Sequence, residues 1–571
     1  VILLPEAIHD LLRQAFQSAM QGGLLPELDA SALEVRPSRR SDQGDYNVAL
    51  MSYAKAARLA PVQIAQAVAA HLPPAPFIGR VETVAPGYLN FFLSDDWLRQ
   101  QVDAIFSEGD DLFRLQLGVG KRAQVEFVSA NPTAPLHIGR SRGAIVGDTM
   151  ARLLEAAGYD VEREYYFNNA GAQMRNLGNS LRLRYLEALG EPLNLTDEEM
   201  VAFYQGDYLK TFARKLVDEV GESWRERDHV PFQTYAEKQM FAMIRATLDR
   251  VDIHHDVFFN ENSLYESGAI WDVLRRLDEA GYIYRAARPE VDDAAEADAD
   301  RPVSGDATWF RSSQLGDSKD RVMVKSSGEP TYTLPDIAYH VNKIERGFDL
   351  LVNVLGADHY TQYQVVQRGV TALGLNPSRI RVIIVQLVAL LRGGEVVRMS
   401  SRKGNFETLD DLIDQTSADA VRYNLLARSA DSHLNFDLDL AVRQSNENPV
   451  YYIQYAHVRC AGILREAEAR GVRPTAFDPS LLGEPELRFL RKVMELGEVI
   501  DLSARLLEPH RIAFYAMELA NTFHPVFDTV RALGADIPTP LSHTRVRFYA
   551  AAQLVFARVL RLMGMTAPDV M

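Results

Sequence analysis

Between Val125 and Asp148 the chain reads VEFVSANPTAPLHIGRSRGAIVGD: an apolar run enters a Pro-rich loop, and the loop leads straight into a helical pattern. Ser129, Asn131 and His137 therefore stand at the carboxyl end of a strand. The helix opening near Gly139 aims unpaired amide groups and the positive end of its dipole at the same place. His137 can donate to a phosphate, and Gly139 lets a nucleotide approach the backbone closely. Residue types at this spacing make a site for a nucleotide phosphate. A second Gly-rich stretch, GVGK at Gly118 to Lys121, is not a P-loop, because Leu115 stands where a Walker A loop needs Gly and Arg122 occupies the hydroxyl position.

The elements that must position these residues fall into three blocks. Residues 1–108 carry a helix over Ile8 to Gly22, a turn in SDQGDYN at Ser41 to Asn47, helices through Val48 to Leu72 and an alternating YLNFFLS at Tyr88 to Ser94, an α+β pattern. Residues 109–440 begin with a strand at Val125 to Val128, a helix from Arg140 to Ala157 ended by Gly158, and a strand at Val161 to Phe167. This βαβ unit predicts a parallel sheet with its ligand site at the strand carboxyl ends. A charged, helical insertion over about 178–305 interrupts the sheet, which resumes at Leu350 to Val354 and Ile380 to Val388, followed by the Gly393-Gly394 turn and Glu395 to Val397. Residues 441–571 show no strand pattern; Asn448-Pro449 is an N-cap and first-turn pair for a helix running through His457.

A chain of 571 residues is too long for one core, so several domains are expected. With 47% apolar and 24% charged residues and no long uncharged apolar run, it reads as soluble and globular, without a membrane span. Val1 to Leu4 is too short for a signal peptide. Position 1 is not Met, so a few preceding residues are expected, whereas the final APDVM reads as a chain end. The single cysteine, Cys460, excludes an internal disulfide and any CxxC site; a reducing cytoplasm and no structural zinc follow as expectations. His254-His255-Asp256 is read as surface or packing, because adjacent histidines do not share a face. The net charge of −16, from 61 basic and 77 acidic residues, argues against non-specific binding to nucleic acid, DNA included. It leaves room for a confined basic track, since Glu290, Asp292, Asp293, Glu296, Asp298 and Asp300 crowd one Ala-rich segment that reads as a solvated loop.

The loop-and-helix stretch resembles the HIGH signature of class I aminoacyl-tRNA synthetases, and SANPTAPLHIG is similar in particular to arginyl-tRNA synthetases of bacterial type. The resemblance continues in YFNNAGAQ at Tyr166 to Gln173, FNENS at Phe259 to Ser263, GDSKDRVMVKSSGEPTYTLPDIAYH at Gly316 to His340, GADH at Gly356 to His359, RMSSRKGN at Arg398 to Asn405 and NENPVYYIQYAHVR at Asn446 to Arg459. It implies an α/β multidomain protein: a Rossmann-type parallel-sheet catalytic domain at 109–440, an α+β N-terminal domain at 1–108 that contacts the tRNA corner, and an all-α anticodon-binding domain at 441–571. The implied reaction is ATP-dependent ligation of L-arginine to its tRNA through arginyl-adenylate, with release of AMP and pyrophosphate. ATP with Mg²⁺, L-arginine and an arginine-accepting tRNA are the implied cofactor and partners, and the family is usually monomeric.

By the same resemblance, ATP meets Pro135, His137, Gly139, Arg140 and Met399. The KMSKS-like Arg398, Ser400, Ser401, Arg402 and Lys403 bring cations and hydroxyls to the β- and γ-phosphates as charge develops. Arginine, a planar cation with five donors, calls for carboxylates presented edge-on. The resemblance assigns these to Glu261 and Asp336, with Tyr332 one helical turn before Asp336, and Ser129, Asn131, His137 and His359 around the α-ammonium group. Such a site can reject lysine, which loses the second parallel hydrogen bond, and a neutral side chain such as citrulline by roughly 10⁴-fold, because buried polar groups are left unpaired. Tyr46, Asn47, Tyr451, Tyr455 and Arg459 are the candidate tRNA contacts, alongside Arg465, Arg488, Arg491, Lys492, Arg545, Arg547, Arg558 and Arg561; the alternative for each is core packing or a solvated helical face. Several positions depart from the family pattern. Arg140 replaces the last His of HIGH, Arg398 and Ser401 replace the first and second Lys of KMSKS, Ala134 stands where some relatives carry a compensating Lys, and GADH at Gly356 to His359 lacks a glutamine that some relatives use on the α-ammonium group. These departures leave open a non-catalytic RNA-binding relative, and an adenylating enzyme with a different acceptor would share the same core. The retained arginine-site residues argue against the first and the two flanking blocks against the second.

Overall fold

The computed structural model describes residues 2–38, 40–193, 195–196, 200, 202–287, 306–357, 360–397 and 408–571. The chain divides into two compact bodies, one of Val1–Leu117, Ala156–Gly158 and Arg443–Met571, the other of Gly118–Glu155 and Tyr159–Val442.

In the second body β1 (Arg122–Glu126), β2 (Asp160–Phe167), β3 (Val257–Asn260), β4 (Leu350–Gly356) and β5 (Ile380–Val385) form one sheet. Their order is β5-β4-β1-β2-β3, and every pairing is parallel. Continuous burial along β1, from Ala123 to Glu126, matches a sheet covered on both faces. Of helices α1 (Ile138–Ala156), α2 (Gly171–Ala188), α3 (Thr333–Glu345) and α4 (Tyr360–Ala372), α2 packs against helices Asp207–Val220 and His229–Asp249, and the other three cover the sheet. After β1 the chain builds β2 and β3 on one side, and β4 later docks on the other. The crevice at the carboxyl ends of β1 and β4 is therefore the topological switch point, where open sheets of this kind take their ligands. Helix α1 approaches the end of β1 so closely that a Cβ on Gly147 would lie 2.4 Å from the Phe127 side chain.

Several boundaries differ from the sequence reading, each for a physical reason. Strand β1 starts at Arg122 and stops at Glu126, because Val128 and Ser129 adopt positive φ of 70° and 42° and turn the chain out of the sheet. The apolar run from Ile380 to Val388 breaks at Gln386-Leu387, and Val388–Arg392 joins a separate sheet with Glu395–Val396 and Leu434–Asp437. The span read as a helical insertion holds helices Asp207–Val220 and His229–Asp249, yet it also contains β3 of the main sheet. Part of a small antiparallel sheet of Ile283–Ala286, Ala307–Phe310 and Arg321–Val324 falls there too. Four-residue strands are too short for alternation to stand out against charged neighbours. The acidic segment from Glu290 to Asp300 lies outside the described residues.

Two buried polar clusters lock α1 into this body. Arg142, fully buried, donates through Nη1 to the carbonyls of Gln386 (3.1 Å) and Ser432 (2.6 Å), and through Nη2 to those of Arg428 (3.4 Å) and Ser429 (2.7 Å). One turn and a half further on, buried Asp148 pairs with Arg422, with Arg152 at 2.7 Å and with Arg163 at 3.4 Å. Burial raises the Asp148 carboxyl, but the three guanidinium groups outweigh it and hold the group below the usual carboxylate range.

The first body joins the two ends of the chain. Its N-terminal part packs helix Leu4–Gln21 with a four-stranded antiparallel sheet ordered Val35–Pro37, Tyr46–Ala49, Tyr88–Leu93, Ile78–Val84. Helical structure begins at Met51, not at Val48, because Tyr46 to Ala49 pairs into that sheet. The C-terminal part is helical, with Pro449–Ala469, Glu484–Met494, Leu496–Leu506, His510–Thr529 and Thr539–Leu562. Ion pairs cross-link the parts: Arg491 to Asp95 (2.6 Å) and Asp45 (3.4 Å), Arg505 to Glu6 (3.0 Å) and Arg547 to Asp103 (2.8 Å). No described helix is long and apolar enough to cross a membrane.

Removing one member of a buried pair leaves the other charged and unpaired. Asp148→Ala is expected to destabilise the second body by about 3–5 kcal/mol, read as a lowered urea midpoint, whereas Asp10→Ala, on an exposed ion pair with Arg13, should change it by under about 1 kcal/mol.

Candidate active site

The loop after β1 is held by hydrogen bonds within itself and from its neighbours. Ser129 Oγ donates to Glu126 Oε1 (3.0 Å) and accepts from the Tyr166 N–H (3.3 Å). Asn131 Oδ1 accepts the Asn168 N–H (3.0 Å), and its Nδ2 donates to Gln173 Oε1 (3.0 Å). Tyr208 donates to the Thr133 carbonyl (2.7 Å), so the helix Asp207–Val220 braces the same loop. The positive φ at Val128 and Ser129 is sustained by this network; left-handed backbone at such residues costs of order 1–3 kcal/mol each.

His137 caps α1. Its Nδ1 accepts the Gly139 N–H at 3.0 Å, so in the neutral imidazole Nε2 carries the proton and is a donor. A Cβ at Gly139 would sit 3.2 Å from that Nδ1 and crowd the cap. Arg140 is exposed in the first turn, and Pro135 is half-buried before it. Thr408 forms an antiparallel bridge with His137, and the Leu409 N–H donates to the Leu136 carbonyl (2.9 Å). The segment that follows the second signature thus returns to the first one. Arg398, Met399, Ser400, Ser401, Arg402, Lys403 and His359 lie outside the described residues.

Beyond β2, an acidic pocket forms. Glu261, which follows β3, is buried; its Oε1 accepts from Asn168 Nδ2 (2.8 Å) and its Oε2 from the Tyr166 hydroxyl. Asp336 projects from the first turn of α3, and Gln362 Nε2 of α4 donates to its Oδ2. Burial, reinforced by the charges of Glu261 and Glu126, pushes the Asp336 carboxyl up to about 7, against the opposing effects of Gln362 and Lys343. Burial likewise raises Glu261. Tyr265, raised to about 12 by burial and then by Glu261 and Asp336, lines the same pocket. Two buried carboxylates, one of which the other's charge holds back from ionising, make a site for a cation with several donors. Tyr332 is 81% exposed at the start of α3, a turn from Asp336, and its charge acts on Tyr265.

Beneath the pocket, α3 presents His340 and Lys343 at helical spacing from Asp336. Lys343, fully buried, donates from Nζ to Glu126 Oε2 (2.6 Å) and Asn353 Oδ1 (3.0 Å). His340 Nδ1 donates to the Asp336 carbonyl (2.8 Å), which leaves Nε2 to accept from Asn353 Nδ2 (2.7 Å). Burial and the neighbouring Lys343 bring this histidine down to about 4, so it is neutral.

The structure thus gathers Ser129, Asn131, His137, Glu261 and Asp336 at the carboxyl ends of the strands, with exposed Tyr332 a turn from Asp336. It also draws in Glu126, Tyr166, Asn168, Gln173, Tyr265, Lys343 and Gln362, which the sequence reading did not single out. Tyr166, Asn168 and Gln173 lay within a quoted motif, and Lys343 is two turns after Asp336; nothing in the local pattern marks Gln362 or Tyr265. Of the candidate RNA contacts, Tyr46 is buried and donates its hydroxyl to Glu498, and Asn47 donates to Ser38 Oγ (3.2 Å), so both are engaged within the first body. Tyr451 and Tyr455 stack with ring centroids 5.5 Å apart, and Arg459 lies over Tyr455 at 4.7 Å, a half-exposed stripe along one helix. His255 packs against Phe127 (4.3 Å) and Tyr165, while His254 is exposed beside Asp249 and Asp252. Among the described residues no group of three His, Cys, Asp or Glu could hold a metal ion.

Comparison with known proteins gives three family matches in order along the chain: the arginyl tRNA synthetase N terminal domain over residues 6–93, the catalytic domain of class I (R) tRNA synthetases over 101–431, and the DALR anticodon binding domain over 453–571. The chain is 41% identical over 577 residues to an arginine–tRNA ligase of Desulfotalea psychrophila and 40% identical over 579 residues to one of Carboxydothermus hydrogenoformans, covering 100% of both chains in each case. Among solved structures, Thermus thermophilus arginyl-tRNA synthetase shares the fold with a TM-score of 0.74 at 20% identity, covering 100% of each chain. A Mycobacterium tuberculosis methionyl-tRNA synthetase in complex with methionyl-adenylate shares it more distantly, with a TM-score of 0.52 at 14% identity over 78% of this chain and 91% of that one.

The raised Asp336 sets a pH dependence. A guanidinium ligand needs the carboxylate, so its affinity rises with pH up to about 7 and then levels. Calorimetric titration with L-arginine should show roughly tenfold weakening per pH unit below that point, and Asp336→Asn should bind weakly with no such limb.

Proposed function

This chain belongs to the arginyl-tRNA synthetase family, and we propose that its second body activates L-arginine with Mg-ATP in the crevice between β1 and β4 and transfers it to a cognate tRNA. The arginine carboxylate oxygen bonds to the α-phosphorus of ATP as the bond to the bridging oxygen breaks, giving arginyl-adenylate and pyrophosphate. The 2′-hydroxyl of the tRNA's terminal adenosine then attacks the acyl carbon, loses its proton, and AMP departs. No protein nucleophile is required; positioning and electrostatics carry the reaction.

The observation that carries this reading is the carboxylate pair Glu261 and Asp336 at the same strand ends as the amino terminus of α1. The pair suits the guanidinium group, whereas the His137 Nε2–H and the dipole of α1 suit the phosphates. Arg140, exposed in that first turn, brings a permanent charge where other family members carry a titratable His. Met399 and the cations from Arg398 to Lys403 complete the nucleotide site in this reading, which the bridge of Thr408, a few positions later in the chain, to His137 supports. Mg²⁺ arrives with the nucleotide. Tyr451 and Tyr455 serve the anticodon arm by stacking, and Arg459, paired with Asp528 at 3.1 Å, backs the ring of Tyr455. The protein acts as a cytoplasmic monomer on RNA, not on DNA.

Arginine-dependent ATP–pyrophosphate exchange, run with and without purified arginine-accepting tRNA and with lysine as control, tests the reading. Exchange is expected with arginine and tRNA together and absent with lysine; tight tRNA binding without exchange would sink it in favour of a non-catalytic binder. Lys403→Ala is expected to slow activation by at least about tenfold while sparing arginine affinity, the pattern of a contact made only in the transition state. Unchanged activation kinetics would remove Lys403 from the site.

A further inference from the structure

Glu261 and Asp336 are not held in the same way. Both Glu261 oxygens have donors from the strand side of the pocket, Asn168 and Tyr166. Among the described residues Asp336 has one side-chain donor, Gln362, which reaches across from the first turn of α4, the helix packed along α3. The other groups facing Asp336 are the charges of Glu261, Glu126 and Lys343 and the hydroxyls of Tyr166 and Tyr265. With its NH₂ engaged by a carboxylate, the Gln362 carboxamide presents Oε1 as an acceptor, and among the described residues that oxygen takes no protein donor. A guanidinium group brings five donors, and a neutral acceptor beside the two carboxylates adds pairing without adding like charge.

We propose that Gln362 is a positioning and specificity residue of the amino-acid site: its Nε2 orients Asp336 edge-on, and its Oε1 accepts from the substrate guanidinium. The proposal deepens the arginine reading above and rests on it. Gln362 acts from α4, so the position of that helix against α3 sets how arginine is gripped. An ammonium side chain, with three donors on one atom, cannot span Asp336 and Gln362 as a planar fork does.

Steady-state aminoacylation by wild type, Gln362→Leu, Gln362→His and Asp336→Asn tests it, with Tm measured for each. Gln362→Leu is expected to raise the arginine KM roughly 10- to 100-fold, the size of one charge-assisted hydrogen bond, while the ATP KM moves less than about twofold. The acid limb of kcat/KM for arginine, at saturating ATP, should move to higher pH, because a donor to the carboxylate has been lost. Gln362→His, which retains a donor, should recover part of the loss. An unchanged or lowered arginine KM in Gln362→Leu would overturn the proposal; so would equal rises in both KM values with a lowered Tm, which mark a merely structural role. If Asp336→Asn impairs arginine use and Gln362→Leu does not, only this proposal fails. If wild type shows no arginine dependence, the arginine reading fails and takes the proposal with it.

Discussion

The ion pair between Lys343 and Glu126 ties α3 to the end of β1, and the arrangement of the crevice depends on it. Both groups are removed from water, and such a pair is stable only when the remaining hydrogen-bonding capacity is met. Asn353 accepts a second Lys343 proton, Ser129 donates to the second Glu126 oxygen, and Lys343 overcomes the effect of burial to keep Glu126 ionised. Ser129 belongs to the nucleotide-side loop and Asp336 to the helix that carries Lys343. The pair therefore sets the register between the phosphate half of the site and the cation half. His340, midway between Asp336 and Lys343, is neutral because burial penalises its charged form and the Lys343 cation repels a second positive charge.

Charge is used differently in the two bodies. In the second, carboxylates are crowded until one of them resists ionisation, which stores affinity for a cation. In the first, many of the arginines that a sequence would offer to RNA are engaged with the protein itself. Arg491, Arg505 and Arg547 join the two ends of the chain, Arg545 pairs with buried Glu486, and Arg558 donates to the Leu112 carbonyl. An arginine with its fork already matched to a carboxylate is a poor phosphate ligand. Exposure and existing partners, not composition, separate RNA-facing cations from structural ones.

The signature loop, the βαβ unit and the helical C-terminal block could be read from local pattern because each rests on short-range chemistry: a Pro-rich loop, a helix start at a small residue, an N-cap pair. The strand Val257–Asn260 could not, because four residues carry too little periodicity, and neither could the end of β1, where positive φ at Val128 runs against the preference of a β-branched residue. Tyr46 shows the same limit from the other side. Its motif is visible in sequence, but its role as a buried donor to Glu498, more than 400 positions away, is a property of packing alone.

What the sequence by itself determined is the chemistry on offer: which residues can meet phosphate, which carboxylates can meet a cation, and that a parallel sheet brings its ligands to the strand carboxyl ends. The phosphate contacts and the strand-end site follow from residue type and spacing along a few turns of chain; the carboxylates were named by the family resemblance. The tertiary structure alone decided which carboxylates share one environment, which hydroxyls and amides hold them, and that Gln362 reaches Asp336 across two helices. The reason is physical: desolvation and Coulomb interaction depend on distance in space and on the surrounding dielectric, and neither quantity is written in the order of the residues.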